Sequence, residues 1–145
     1  MRIEGRAAVC ALLLGAVGVV NAETSPLQPG LYEVELRTQF SDTDSQSVAP
    51  VSIVRRCVSA TEIESPDRLA PGFSAGAKCV ASAQQSDAAG ASWRLDCLGE
   101  PNMRGQAALR WGESTYDGET RLVLQRGADR MNMTQMYKAR RLGGC

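Results

Sequence analysis

Four short stretches carry side chains whose types and spacing suggest chemistry. Gly72 to Gly76 reads GFSAG and fits the G-x-S-x-G elbow, with Ser74 as nucleophile. That chemistry needs a base to take the serine proton, and in the elbow fold the base is a histidine. The chain has no histidine, and Gly72 to Gly76 lies between Pro71 and a new strand-like run rather than between a strand and a helix. Glu33 and Glu35, two residues apart, would share one strand face and could work as an acid and base pair. They stand on the polar side of an amphipathic stretch, the ordinary place for solvated charge. Asp42 and Asp44 take the first two ligand positions of a calcium loop. The glycine required at the sixth is Ser47 and the glutamate at the twelfth is Ile53, so the stretch reads as a turn. Met131, Met133 and Met136 bring three thioethers that could bind Cu(I). On a strand the first two share a face and Met136 takes the other unless a bulge realigns them, and a pair of inward methionines suits core filling. Asn132 to Thr134 also fits a glycosylation triplet, which matters only in a eukaryotic secretory host.

Cysteine is the residue type with the clearest message. The chain opens with Arg2 and Arg6, an apolar run from Ala7 to Val20, and small residues at Val20 and Ala22. That is the pattern of a secretory signal peptide over residues 1–22, cleaved after Ala22. Fourteen apolar residues fall short of the twenty or so that span a bilayer. Cys10 lies within that run. Removing 22 of 145 residues leaves 123, one domain, residues 23–145. Without Arg2, Arg6 and Glu4, 16 residues of each sign become 14 basic and 15 acidic. So balanced a chain, with no basic stripe, is a poor partner for nucleic acid or anionic membrane, and it contains no further transmembrane stretch. Cys57, Cys79, Cys97 and Cys145 remain, an even number as expected of an exported, disulfide-bonded protein, periplasmic or secreted. Their spacings of 22, 18 and 48 contain no C-x-x-C knuckle, which argues against zinc and against a thioredoxin-like redox pair.

The elements that hold these residues are mostly strands. LYEVELRTQF alternates with period two, placing Tyr32, Val34, Leu36, Thr38 and Phe40 on one face. SVAPVSIVRRC reads as a second, irregular strand carried by Val51, Ile53 and Val54. Ser59 and Glu62, and again Thr61 and Glu64, fit a capping box, and Pro66 and Pro71 keep the helix to a turn or two. From Lys78 onward strands alternate with short polar turns, too short for parallel crossovers. Met103, Gly105, Ala107, Leu109 and Trp111 share a face, as do Tyr116, Thr120, Leu122 and Leu124 on the next strand. Trp93 and Trp111 should anchor the core. The expected fold is mainly β (α+β): a curled antiparallel meander sheet of about seven strands, one short helix and two disulfides.

In order along the chain, PGLYEVEL, RRCVSATEI, KCVASAQQ, WRLDC, YDGETRL, MNMTQM and the terminal ARRLGGC make the chain resemble domain-of-unknown-function family 3617. The resemblance spans nearly all of residues 23–145 and implies a periplasmic β-rich domain with paired cysteines and no established activity. The chain departs from the family pattern before Cys57, with fewer Met and Pro, and at Gly144, where an acidic residue is common. Four cysteines allow three pairings. Cys79 and Cys97 lie symmetrically about a turn near Ala88 and could face each other across a hairpin, but directly opposed cysteines demand tight geometry. The favoured pairs are therefore Cys57–Cys79, stapling the helix loop, and Cys97–Cys145, drawing the GGC terminus back to the sheet.

With no cofactor and no catalytic constellation in view, the leading functional expectation is a non-enzymatic envelope protein. Its curved sheet would bind a small apolar ligand or another envelope protein. Copper handling through the methionines is the alternative, and an enzyme working with carboxylates alone a second one.

Overall fold

The alternating pattern that begins at Leu31 forms a twelve-residue strand, β1 (Gly30–Ser41), in a computed structural model that describes residues 24–71, 78–99 and 101–145. The signal-peptide stretch and Ser74 lie outside the described residues. After β1 come β2 (Gln46–Val48), β3 (Ser52–Val58), a single-turn helix α1 (Ala60–Ile63) and a 3-10 turn at Pro66–Arg68. The remainder is a meander of β4 (Lys78–Ser86), β5 (Gly90–Leu98), β6 (Asn102–Trp111), β7 (Thr115–Arg126) and β8 (Asp129–Gly143). All pairings are antiparallel, in the order β2-β1-β8-β7-β6-β5-β4, with β3 on the same side of β1 as β2. The first long strand thus lies beside the last.

The expected second strand is two strands. Ala49, Pro50 and Val51 interrupt it because proline has no N–H to give to the ladder. Gln46–Val48 then pairs with the end of β1 and Ser52–Val58 with its beginning. Val51, Ile53 and Val54, expected to carry that strand into the core, are exposed at the sheet edge. At the other edge, β4 loses register with β5 between Ser82 and Gln85, where Ala83 takes a left-handed φ of 50°. A bulge of this kind makes an edge a poor template for a further strand.

Period-two alternation sends one set of side chains from every long strand to the same concave face. Tyr32, Val34, Trp93, Leu95, Leu109, Trp111, Leu122, Met133 and Tyr137 all join one buried cluster there. The outer face carries the charges. Ser59 caps α1 through a complete capping box with Glu62, so the helix starts where the sequence says it should. Ile63, Leu69 and Ala70, with Leu27 from the lead-in, pack into the cluster and plug one end of the concavity.

Two disulfides tie this arrangement, with pairings other than those favoured from spacing. Cys79 bonds Cys97 and Cys57 bonds Cys145. Sheet register explains both. Cys79 and Cys97 are direct partners in the β4–β5 ladder, with Cα atoms 3.9 Å apart. Cys57 is the partner of Leu31 on one side of β1, while Gly143 pairs with Leu31 from the other side. The two residues after Gly143 carry Cys145 past the end of β1, to a Cα distance of 5.8 Å from Cys57.

Candidate functional site

Successive ladders align the concave side chains in rows across the sheet. The middle row runs Trp93, Ala107, Thr120, Gln135 and Thr38. The row toward the plugged end is Ala91, Leu109, Gly118, Tyr137 and Leu36; the row toward the open end is Leu95, Gly105, Leu122, Met133 and Phe40. Small residues occupy the centre at Gly105, Ala107 and Gly118, and large ones stand around them. A Cβ at Gly118 would run into the ring and hydroxyl of Tyr137, so this glycine is what lets the tyrosine lie across β7.

Within this apolar surface are polar atoms that have no hydrogen-bond partner among the described residues: Trp93 Nε1, Tyr116 Oη, Thr120 Oγ1, Gln135 Oε1 and Tyr137 Oη. Thr120 is fully buried and Gln135 is 8% exposed, and they are direct partners across β7 and β8. Three tyrosines form a file from the plug toward the middle row. The Tyr32 and Tyr116 rings lie 5.5 Å apart and those of Tyr116 and Tyr137 6.4 Å apart, the latter edge to face. Tyr32 is satisfied, its hydroxyl donating to the Gln28 carbonyl at 2.6 Å. Burial pushes the Tyr116 phenol up to about 12 and Tyr137 higher still. Thr120 opposes part of the rise at Tyr137, although neither hydroxyl completes a hydrogen bond. These three rows and Tyr116 therefore carry no charge at physiological pH.

Thr120 is placed on the shared face by sequence alternation, whereas Gln135 was not singled out. The signal for Gln135 was its position between Met133 and Tyr137 at period two. Trp93 and Trp111 are both core residues, and Trp111 Nε1 donates to the Asp87 and Ala88 carbonyls.

The other sequence candidates lie apart from this face. Glu33 and Glu35 sit on the outer surface, in a shallow groove of about 470 Å³ shared with Lys138, Arg140, Arg110 and Asp117. Glu33 accepts from Arg140 at 2.7 Å and from Arg55 at 3.1 Å, and these bonds, Arg140 first, hold its carboxyl below the usual range. Glu35 pairs with Arg37 at 2.8 Å. A general acid needs a raised pKa, and Glu33 has the opposite, a fixed anion in an ion lattice. Met133 is buried, Met131 is partly exposed on the same face, and Met136 points outward. β8 runs through this stretch in unbroken register with β7, so no bulge brings the three sulfurs together. Asp42 accepts from the Asp44 and Ser45 amides at 2.9 and 2.8 Å, the geometry of a turn. Among the described residues no three His, Cys, Asp or Glu side chains converge on one point.

The class defined by this architecture is a disulfide-tied, open antiparallel β-sheet domain with an apolar concave face. Residues 27–145 match the family described as Protein of unknown function (DUF3617), and the chain belongs to that family. No curated protein and no solved structure matches the chain.

Proposed function

We propose that this is an exported, non-enzymatic binding domain that holds a small, mainly apolar guest on the concave face of its sheet. The observation that carries this is a set of five polar atoms within one buried apolar surface that find no partner among the described residues. Native interiors leave few such groups, because each costs about 1–3 kcal/mol. A guest that hydrogen-bonds to them removes that cost. Export is supported by the two disulfides, which persist in oxidising compartments, and by the signal-like residues 1–22.

The test is a fluorescence titration of oxidised protein 23–145 with N-phenyl-1-naphthylamine, a neutral apolar probe. The expected result is saturable, one-site enhancement with micromolar affinity, together with quenching of tryptophan emission. A signal that rises linearly to about 100 µM without saturating would overturn the proposal.

A second reading, a protein partner that adds a strand to the free edge of β3, is favoured by the exposed Val51, Ile53 and Val54. It predicts that Ile53→Lys abolishes capture of that partner by the oxidised domain while leaving probe binding intact.

A further inference from the structure

We infer that the guest of the concave face is an uncharged, mainly apolar molecule carrying both a hydroxyl and a hydrogen-bond acceptor, of the monoacylglycerol class rather than a fatty-acid anion. This rests on the binding function proposed above and adds the chemical class of the ligand. The partnerless atoms have a definite polarity. Trp93 Nε1 can only donate and Gln135 Oε1 can only accept, while the hydroxyls of Thr120, Tyr116 and Tyr137 can do either. A pure hydrocarbon would leave all of them unsatisfied. A guest with a carbonyl or ether oxygen can receive from Trp93, and one with a hydroxyl can donate to Gln135.

Charge decides between neutral and anionic lipids. In the middle row, from Trp93 to Thr38, no position is ionisable. The inward-facing Arg56 of β3 lies toward the plug, where it is already engaged by Glu62 and the Arg68 carbonyl. Arg141 is occupied by the Pro29 carbonyl at 2.9 Å, beside the bulge where β8 meets the start of β1. Lys138 and Arg140 belong to the outer face with Glu33 and Glu35. A carboxylate drawn into the middle row would lose its water and meet no counter-ion among the described residues, an arrangement that is strongly unfavourable. The buried tyrosines offer it hydrogen bonds but no charge.

The experiment is displacement of bound N-phenyl-1-naphthylamine from oxidised protein at pH 8, by 1-monopalmitoylglycerol and separately by palmitate, each below its aggregation threshold. Monopalmitoylglycerol should displace the probe at least tenfold more effectively than palmitate. Gln135→Met, which keeps the volume and removes the acceptor, should weaken monopalmitoylglycerol about fivefold relative to the probe, whose own affinity is measured in the same variant. Thr120→Val repeats the test at the neighbouring position should Gln135→Met not fold. Equal or better displacement by palmitate overturns the inference while leaving the binding function standing. So does an unchanged monopalmitoylglycerol affinity in both variants. Absence of saturable probe binding overturns both.

Discussion

Replacing Cys145 by serine separates the observed disulfide pairing from the one that spacing favours. In the chain-entropy description, the bond between Cys57 and Cys145, 88 residues apart, is worth about 4.6 kcal/mol, and that between Cys79 and Cys97, 18 apart, about 3.2 kcal/mol. A domain of this length unfolds with an entropy of about 0.25 kcal/mol per kelvin, so these losses correspond to falls in Tm of about 18 and 13 °C. Cys145→Ser also frees the end of β8, which is tied to β1 along the ladder from Leu31 to Ser41. The assay is a thermal melt followed by circular dichroism, combined with alkylation of free thiols and peptide mapping. Cys145→Ser should melt about 18 °C below the parent and expose one thiol, at Cys57. Cys79→Ser should expose Cys97 and melt about 13 °C lower. Alkylation of Cys97 in the Cys145→Ser protein would refute the register argument, and a Tm within a few degrees of the parent would refute the magnitude.

Three further outcomes follow from the buried tyrosines, the close approach at Gly118 and the outer ion lattice. All three tyrosines have raised pKa values, so the domain is at full stability below pH 10 and loses stability as the pH climbs through the folded values, that of Tyr116 being about 12. Absorbance at 295 nm should show at least two of the three tyrosines un-ionised at pH 10.5 while the circular dichroism stays native; tyrosinate from Tyr116 or Tyr137 in a native-like protein would count against the burial. Gly118→Ala should cost about 1–3 kcal/mol in urea unfolding, because its methyl meets the Tyr137 ring, whereas Gly127→Ala, where nothing stands within 4 Å, should be affected only through its left-handed φ of 57°. An unchanged urea midpoint for Gly118→Ala would mean that Tyr137 does not lie across β7. Because its carboxyl is held low, Glu33 stabilises the fold at neutral pH and ceases to do so as the pH falls below the ordinary carboxylate range. Glu33→Gln should therefore be less stable than the parent at pH 7, with the difference shrinking as the pH falls below the ordinary carboxylate range; a difference that does not shrink in acid would show that the residue acts other than through its charge.

Strand identity and facing were legible because they depend on neighbours two residues away. LYEVELRTQF and MRGQAALRW announce their inward faces by alternation alone, and Ser59 with Glu62 announces the helix start. Pairing was not legible in the same way. Whether Cys57 meets Cys79 or Cys145 depends on which strands flank β1, and that is decided by β8 returning to it across most of the chain. Nor could alternation reveal that β1 accepts two separate partners on one edge, although Pro50 in retrospect marks the break. Among the candidate site residues, the conspicuous ones lie apart from the middle row: Glu33 and Glu35 stand in outer ion pairs, Met133 is buried, Met131 is partly exposed and Met136 faces outward. Gln135 was hidden by its ordinariness, one amide in a strand, and gained meaning only when Thr120 and Trp93 came to lie in its row.

The adjacency of β1 and β8 also constrains how the chain acquires its shape. The ladder between β1 and β8 joins residues about a hundred positions apart, as in the pair Glu33 and Arg140. Sheets dominated by such distant pairings fold slowly, since loop closure must precede any reward. A chain emerging from its N-terminus presents Cys57 and Cys79 together before Cys97 appears, and long before Cys145. The first bond within reach is thus the non-native one, favoured by a short loop. Cys79 can escape it as soon as β5 supplies Cys97, but Cys57 must wait for Cys145, 88 residues away. Thiol trapping during oxidative refolding should accordingly catch a Cys57–Cys79 species early and lose it as β5 pairs with β4; a refolding course that never populates it would show that the sheet forms before any sulfur is oxidised. Maturation of this small domain is in that sense a problem of order in time: exchange moves Cys79 from Cys57 to Cys97, and an oxidant from the medium then joins the Cys57 and Cys145 thiols.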